Sequence, residues 1–247
     1  MNQPRLSLQQ VSCQGADRRI VLQDISFDAA AGECLVIAGA MGAGKTTLLK
    51  LINRLIERDQ GHIFLDGQEI RQIPVVDLRQ QITLVLQEPK LLGMTVRQTL
   101  AYPLQLRGLT PTVVTQRLQY WSEQLQIPTD WFDRTEVQLS QGQKQLVAIA
   151  RALMIQPLVL LCDEPTAALD RGTGQRVIQC VKSLTETTAT TVVMVSHQLD
   201  WVQQFADRWL YLKQGRLVQD FPSRSINWAT LQQQLAQEQA EAIAEWE

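Results

Sequence analysis

The sequence predicts an α/β fold in which a mainly parallel sheet, accompanied by an antiparallel β part, carries an inserted helical subdomain. Short apolar runs at 34–38, 158–162 and 191–195 are typical of buried strands, and helical patterns alternate with them. Between about 88 and 157 this alternation gives way to mostly helical sequence. The 247 residues, 45% hydrophobic and 19% charged, suit a single globular domain of this size.

The first third of the chain is rich in predicted strands. Apolar or alternating patterns predict these strands at 6–11, 20–27, 62–67 and 81–86. The buried run at 34–38 leads through a glycine-rich turn into a predicted helix at 45–55. After the strand at 191–195, a last short strand or turn is expected beyond Gly215.

The inserted subdomain is predicted to consist of helices. A helical pattern covers 96–126 with breaks at Pro103, Gly108 and Pro111, and a helix with a polar start and an apolar body follows at 139–154. We therefore divide the single domain, 1–247, into a core at 1–87 and 158–222, a helical subdomain at about 88–157 and a C-terminal helix at about 226–247.

Composition excludes several classes of function. The net charge is −2 and no run of Lys or Arg stands out, so nucleic acid is not an expected partner. The four cysteines have neither C-x-x-C nor zinc spacing, so we expect reduced thiols. The start of the chain lacks a signal-peptide pattern, and no apolar stretch approaches the roughly 20 residues of a spanning helix. We expect no direct membrane insertion, so any role at a membrane would depend on a partner protein.

The residues after the strand at 34–38 match the phosphate-binding pattern G-x-x-x-x-G-K-[ST]. This cradle consists of Gly39, Ala40, Met41, Gly42, Ala43, Gly44, Lys45 and Thr46. Its glycines let backbone N–H groups point at phosphate oxygens, and the following helix presents its positive end to the same anion. Lys45 can reach the β- and γ-phosphates, Thr46 can give a hydroxyl to Mg²⁺, and Thr47 can add a hydrogen bond to phosphate.

Two adjacent carboxylates follow the apolar run at 158–162. Asp163 is placed at the carboxyl edge of a parallel sheet, where such folds bind their ligands. Together with Thr46 it offers the hard oxygen atoms that Mg²⁺ prefers. Glu164 cannot point the same way, and it suits a general base that orients water toward the γ-phosphate.

Between these motifs lies a signature run, Leu139-Ser140-Gln141-Gly142-Gln143, and with it the chain resembles the ABC ATPase family over about residues 5–222. The cradle corresponds to that family's Walker A motif, 158–164 to its Walker B motif, and the signature run to LSGGQ. Gln87 matches the Q-loop glutamine, Asp170 the D-loop aspartate and His197 the switch histidine. The resemblance implies a P-loop NTPase core of the RecA-like type and Mg²⁺-dependent hydrolysis of ATP.

The resemblance also implies a homodimer that sandwiches two ATP molecules. Ser140 and Gly142 of one copy would bind the γ-phosphate held by the other copy, and Gln143 belongs to the same nucleotide-binding run. His197 would position the attacking water together with Glu164.

The remaining matched residues connect the two sites and the partner. Gln87 would sense the γ-phosphate, Mg²⁺ or the water and move the helical subdomain, and Asp170 would link one active site to the other subunit. The ATPase would drive a separate integral membrane transporter subunit, with this chain cytoplasmic and peripheral at the inner face of the cell membrane.

Two departures from the family pattern stand out. The segment 11–19 lacks the aromatic residue that usually stacks on adenine, which puts a strict preference for ATP over GTP in doubt. Gln141 occupies a position where glycine is common, but Ser140 and Gly142 beside it are intact, so we expect activity to survive.

The segment 79–108 further resembles FetA/YbbL-type ATPases proposed to serve bacterial iron export, and also related plant subunits linked to aluminium tolerance. Importer subunits for phosphate or amino acids share much of this pattern, so the cargo and direction stay open. Alternatives are an ABC protein of translation or DNA repair and a regulatory module without turnover. Leu91, Leu92 and Met94 look exposed, and we expect them to line a groove for a helix of the membrane subunit.

Overall fold

The structure is a computed structural model, and it describes residues 3–198, 201, 203, 205–225, 233 and 237. In this part of the chain, ten strands form two sheets. They are β1 (Leu6–Gln14), β2 (Ile20–Ala29), β3 (Cys34–Ala38), β4 (Gln60–Leu65), β5 (Gln68–Glu69), β6 (Ile82–Val85), β7 (Val159–Asp163), β8 (Thr191–Val195), β9 (Arg208–Lys213) and β10 (Arg216–Pro222). The first sheet is antiparallel with the order β2-β1-β4-β5, and the second has the order β10-β9-β3-β8-β7-β6.

The second sheet is parallel from β9 to β6, and only β10 runs antiparallel to its neighbour. Among the described residues, the sheets are accompanied by the helices α1 (Lys45–Ile52), α2 (Val75–Gln81), α3 (Val96–Leu106), α4 (Pro111–Gln124), α5 (Gln141–Ile155) and α6 (Arg171–Thr188). The mixed sheets with helices inserted between β6 and β7 confirm the predicted fold class. In the part of the chain that the structure describes, no helix is both long and apolar enough to cross a membrane.

The parallel sheet separates two apolar cores, because successive side chains of a strand point to opposite faces. In β3, Leu35 and Ile37 pack against α1 and the antiparallel sheet. Val36, between them, packs on the opposite face with α5, α6 and the helical subdomain. Burial on both faces explains why β3, β7 and β8 are continuous apolar runs.

The sequence predicted a helix break at Pro103, but this residue lies inside α3. Proline removes one helical hydrogen bond, at a cost of about 3 kcal/mol. The fully buried Leu100 and Leu104 lie on either side of it in the subdomain core, and their burial offsets that cost. The predicted breaks at Gly108 and Pro111 are confirmed: Gly108 lies in the link between α3 and α4, and Pro111 is the first residue of α4.

Other boundaries also differ from the sequence patterns. The first helix was predicted to end at 55, but α1 ends at Ile52. Asn53 is its C-cap, and the Asn53 side chain donates a hydrogen bond of 2.6 Å to the Ile82 carbonyl. The patterns did not predict α2 or β9. The predicted C-terminal helix at 226–247 lies outside the described residues, apart from Gln233 and Gln237.

Candidate functional site

The cradle begins where β3 ends, and its backbone demands glycine. Gly39 has φ +153, and a Cβ atom there would lie 2.1 Å from the Leu212 carbonyl oxygen. Gly44 is the N-cap of α1 with φ +99, and no side chain caps that helix end. The N-terminal end of α1, with its first N–H groups, therefore lies at the point where the cradle would place phosphate.

Lys45 is buried inside the loop that it would serve. Its Nζ donates to the carbonyl oxygens of Gly39 at 2.7 Å and Ala40 at 2.8 Å. Burial lowers the pKa of Lys45, and the nearby Glu164 and Asp163 oppose that shift. Around it, Ala43 is buried, Thr47 is half-buried, and Met41 and Gly42 are exposed.

Strand register brings the remaining predicted residues to the same edge of the sheet. Ile37 of β3 pairs with Val195 of β8, so Gly39 and His197 each lie two residues beyond this pair. Asp163 of β7 also pairs with Val195. Farther along the sheet Val85 of β6 pairs with Cys162 of β7, so the exposed Gln87 follows β6 at the same edge at which Glu164 follows β7. All four strands end at the edge where open α/β sheets bind ligands.

Asp163 and Thr46 form a compact oxygen site. The Thr46 side chain lies close to the Asp163 carboxylate, which is buried at the end of β7. Burial raises the pKa of Asp163, and the Thr46 side chain partly opposes this rise. A hydroxyl and a carboxylate in contact fit Mg²⁺, which takes one or two protein oxygens and completes its shell with water and phosphate oxygens.

Glu164 and His197 face each other beside this oxygen site. Oε1 of Glu164 lies 3.2 Å from Nε2 of His197. Glu164 adopts a left-handed backbone, φ +48, and its N–H donates to the Val195 carbonyl at 3.0 Å. The hydrogen bond from His197 is the main cause that lowers the pKa of Glu164, so its carboxylate is ionised at neutral pH and can accept a proton.

The signature run caps α5. Ser140 is the N-cap of α5, and its Oγ accepts the Gln143 N–H at 3.3 Å, while the Gln143 side chain accepts the Ser140 N–H at 2.8 Å. This capping box holds the start of α5, and its residues lie at or near the surface. A Cβ atom at Gly142 would lie 2.7 Å from the Ala168 carbonyl oxygen, so the run packs closely against the segment before Asp170.

Asp170 is the exposed N-cap of α6 and accepts the Thr173 N–H at 3.0 Å. The backbone hydrogen bond from Thr173 is the main cause that lowers its pKa. Two α5 side chains that were not predicted from the sequence bind the backbone near Gln87, namely Gln145 and Arg151. Their only signal in the sequence is polarity within the apolar body of a helix.

Comparison with protein-family models matches residues 22–167 to the ABC transporter family. The matched span is more than half of the chain. It contains the cradle, Gln87, the signature run and Glu164, whereas Asp170 and His197 follow its end.

Curated relatives include the methionine import ATP-binding proteins MetN of Legionella pneumophila (strain Lens), 36% identical over 205 residues, and of Coxiella burnetii (strain RSA 493 / Nine Mile phase I), 37% identical over 205 residues. Both alignments cover 81% of this chain, and they cover 60% and 58% of the relatives. The chain thus spans about three-fifths of the length of the curated relatives it matches.

Solved structures agree with this assignment. One is a dimeric ATP-binding cassette in a post-hydrolysis state bound to ADP and Pi, with a TM-score of 0.81 and 28% identity over 90% of this chain and 100% of that chain. Another is cbiO1 from Clostridium perfringens, part of the ABC transporter complex cbiONQ, with a TM-score of 0.81 and 26% identity over 94% of this chain and 93% of that chain. Motifs, fold and matches together show that the chain belongs to the ABC transporter family, as one of its ATP-binding cassettes.

Proposed function

We propose that this chain is the ATP-hydrolysing subunit of a transporter, and that it acts as a homodimer on a separate integral membrane subunit. The pairing of Glu164 with His197 beside the Lys45 cradle carries the proposal. A cassette that only binds nucleotide needs no ionised carboxylate next to its phosphate site, whereas hydrolysis needs a group that accepts the proton of water.

The chain's own residues account for binding, orientation and proton transfer. Lys45 exchanges its two carbonyl partners for the β- and γ-phosphates of ATP, and the N–H groups of the cradle hold the remaining phosphate oxygens. Mg²⁺ held by Thr46 and Asp163 would neutralise charge on the transferred phosphoryl group. His197 donates a hydrogen bond to the γ-phosphate, and Glu164 orients the attacking water and accepts its proton.

The second copy supplies the rest of the site. Ser140 bonds to Gln143 through its backbone N–H and its Oγ, both within the start of α5. Because Oγ accepts in this pair, the hydroxyl hydrogen of Ser140 is available to a phosphate. Leu139 of the signature run is buried, whereas the residues from Ser140 to Gln143 lie at or near the surface at a helix N-terminus, which suits an anion presented by another molecule. A similar cassette is a dimer bound to ADP and Pi.

Substitution of Glu164 by Gln tests this function. General acid–base groups contribute about 10²- to 10⁴-fold to rate, so Glu164→Gln should lower phosphate release from MgATP by about that factor. It should still bind ATP and should accumulate as an ATP-bound dimer on gel filtration. The exposed Glu123→Gln on α4 is the matched control and should hydrolyse ATP normally. Hydrolysis by Glu164→Gln at the wild-type rate would show that Glu164 is not the base.

The membrane partner is expected at the turn that follows Gln87. Leu92 and Gly93 are its central residues, with φ +61 and +70, and the Met94 N–H donates to the Leu91 carbonyl at 3.3 Å. This geometry favours glycine or asparagine, yet Leu92 is apolar and 62% exposed. An exposed leucine in a strained turn beside Gln87 supports a role in binding the membrane subunit. Leu91, by contrast, is fully buried in the subdomain core, so its predicted exposure was wrong.

Direction and cargo have two candidates. Curated relatives named methionine import ATP-binding proteins favour import of an amino acid. The resemblance of the segment 79–108 to FetA/YbbL-type ATPases favours export of a metal ion. The membrane subunit should first be identified by co-purification from membranes, where we propose that the chain is held at the inner face. The complex is then placed in vesicles with its ATPase subunits outward. Loss of preloaded methionine from the lumen on addition of ATP would indicate import, and ATP-driven accumulation of metal in the lumen would indicate export.

A further inference from the structure

One buried amide on α5 has an arrangement that packing does not explain. Gln145 is 1% exposed, and its Nε2 donates a long hydrogen bond of 3.4 Å to the carbonyl of Leu86. Its Oε1 is buried, and no hydrogen-bond partner for it lies among the described residues. A buried acceptor without a donor destabilises a fold, so an apolar side chain of the same size would serve stability better than Gln145.

The partner of Gln145 belongs to the Gln87 segment, residues 86–91, and α5 also contacts the other end of that segment. Arg151, six residues after Gln145 on the same helix, donates to the Lys90 carbonyl at 3.1 Å. Glu136, in the short helical turn before α5, accepts the Leu91 N–H at 3.2 Å. The exposed Gln87 lies between these attachments.

The same helix begins with the signature run. Gln145 follows the N-cap Ser140 by five residues, which is about 7.5 Å along an α-helix. From Leu146 to Met154 every side chain of α5 except Arg151 is buried, in an apolar core that the helical subdomain shares with one face of the parallel sheet. This burial keeps α5 a single rigid helix from the signature run to Met154. A displacement of the Gln87 segment that pulls on Gln145 and Arg151 therefore moves Ser140 and Gly142 with it.

We propose that Gln145, supported by Arg151, is a positioning residue that couples the Gln87 segment to the signature run, so that the phosphate state sensed in one copy orients the residues offered to the other. The inference rests on the proposed function, because it assigns the connection between two parts of that ATPase. The unpartnered Oε1 fits this role, since an amide with a spare acceptor can gain a backbone N–H of the Gln87 segment when that segment shifts.

The test uses Gln145→Met, which preserves the length of the side chain and removes both polar atoms. We expect kcat for ATP to fall about 2- to 30-fold, the range found for residues that carry coupling between sites, with KM within about twofold of wild type. The melting temperature should be unchanged or higher, because the unpartnered acceptor is gone. Ser122→Ala is the matched control: Ser122 is another buried residue of the helical subdomain whose Oγ lacks a partner among the described residues, and the change should leave kcat unaltered.

A double substitution separates coupling from simple structural damage. If Gln145 acts through Gln87, then Gln145→Met should have no further effect on kcat in a Gln87→Ala background. Three results would each overturn the inference. The first is that the effects of the two substitutions on kcat multiply in the double variant. The others are an unaltered kcat of Gln145→Met, or equal losses of kcat and melting temperature in Gln145→Met and Ser122→Ala. A different result contradicts the proposed function itself: if the wild-type protein does not hydrolyse MgATP, the proposed function and the coupling inference are both overturned.

Discussion

Adenine recognition is the part of the site with the fewest identifiable residues. The turn between β1 and β2 closes through a hydrogen bond of 2.8 Å from the Gly15 N–H to the Arg19 carbonyl, and it contains no aromatic ring. Stacking of a base on an aromatic side chain contributes about 1–3 kcal/mol where one is present. We therefore predict weak discrimination between bases. GTP should compete with ATP in hydrolysis assays, and a preference for ATP above about a hundredfold would show that another group recognises adenine.

At the scale of elements, the start of α5 serves both stability and the proposed phosphate contact, and two substitutions of Ser140 separate these roles. Ser140→Ala removes the N-cap and should lower the free energy of unfolding by about 1 kcal/mol in urea denaturation. Ser140→Asp keeps a good cap and should retain that stability, but its charge would repel the γ-phosphate of the other copy. In a Glu164→Gln background, Ser140→Asp should therefore prevent ATP-driven dimerisation.

A second capped helix provides the control for Ser140. Thr95 caps α3 through the same kind of capping box with Gln98. Thr95→Ala should cost about as much stability, about 1 kcal/mol, without loss of dimerisation. If Ser140→Asp dimerises with ATP as well as its parent does, the signature run does not contact the phosphate.

At the scale of the whole molecule, attachment to the membrane is proposed to depend on the surface next to Gln87. Leu92→Glu should spare nucleotide binding, since this side chain points into solvent, yet it should weaken association with the membrane subunit by placing a charge in an apolar contact. Co-fractionation with membranes and transport are the measurements. Val218→Glu, on the edge strand β10, changes an exposed apolar residue far along the chain and should have no effect. Full co-fractionation of a folded, ATP-binding Leu92→Glu would place the docking site elsewhere.

The whole-molecule architecture could be predicted from the sequence where a pattern depends on neighbouring residues. The buried strands β3, β7 and β8 were recognisable because both of their faces are covered, which makes every position apolar. β9 was missed although it pairs with β3, since its charged ends at Arg208 and Lys213 hide the apolar centre. Pro103 misled the helix prediction because tertiary burial of Leu100 and Leu104 outweighed a local penalty.

Residue order alone was enough to predict the phosphate cradle. The cradle relies on the backbone freedom of glycine and on the N–H groups of a helix N-terminus, which are properties of a few adjacent residues. Strand order decided the rest. It brings His197 to 3.2 Å from Glu164 and Thr46 into contact with Asp163, across separations that no local pattern encodes. Only tertiary packing shows that Leu91 is buried although its neighbour Leu92 is exposed, and that Gln145 hydrogen-bonds the Leu86 carbonyl, because each depends on which distant surface meets it.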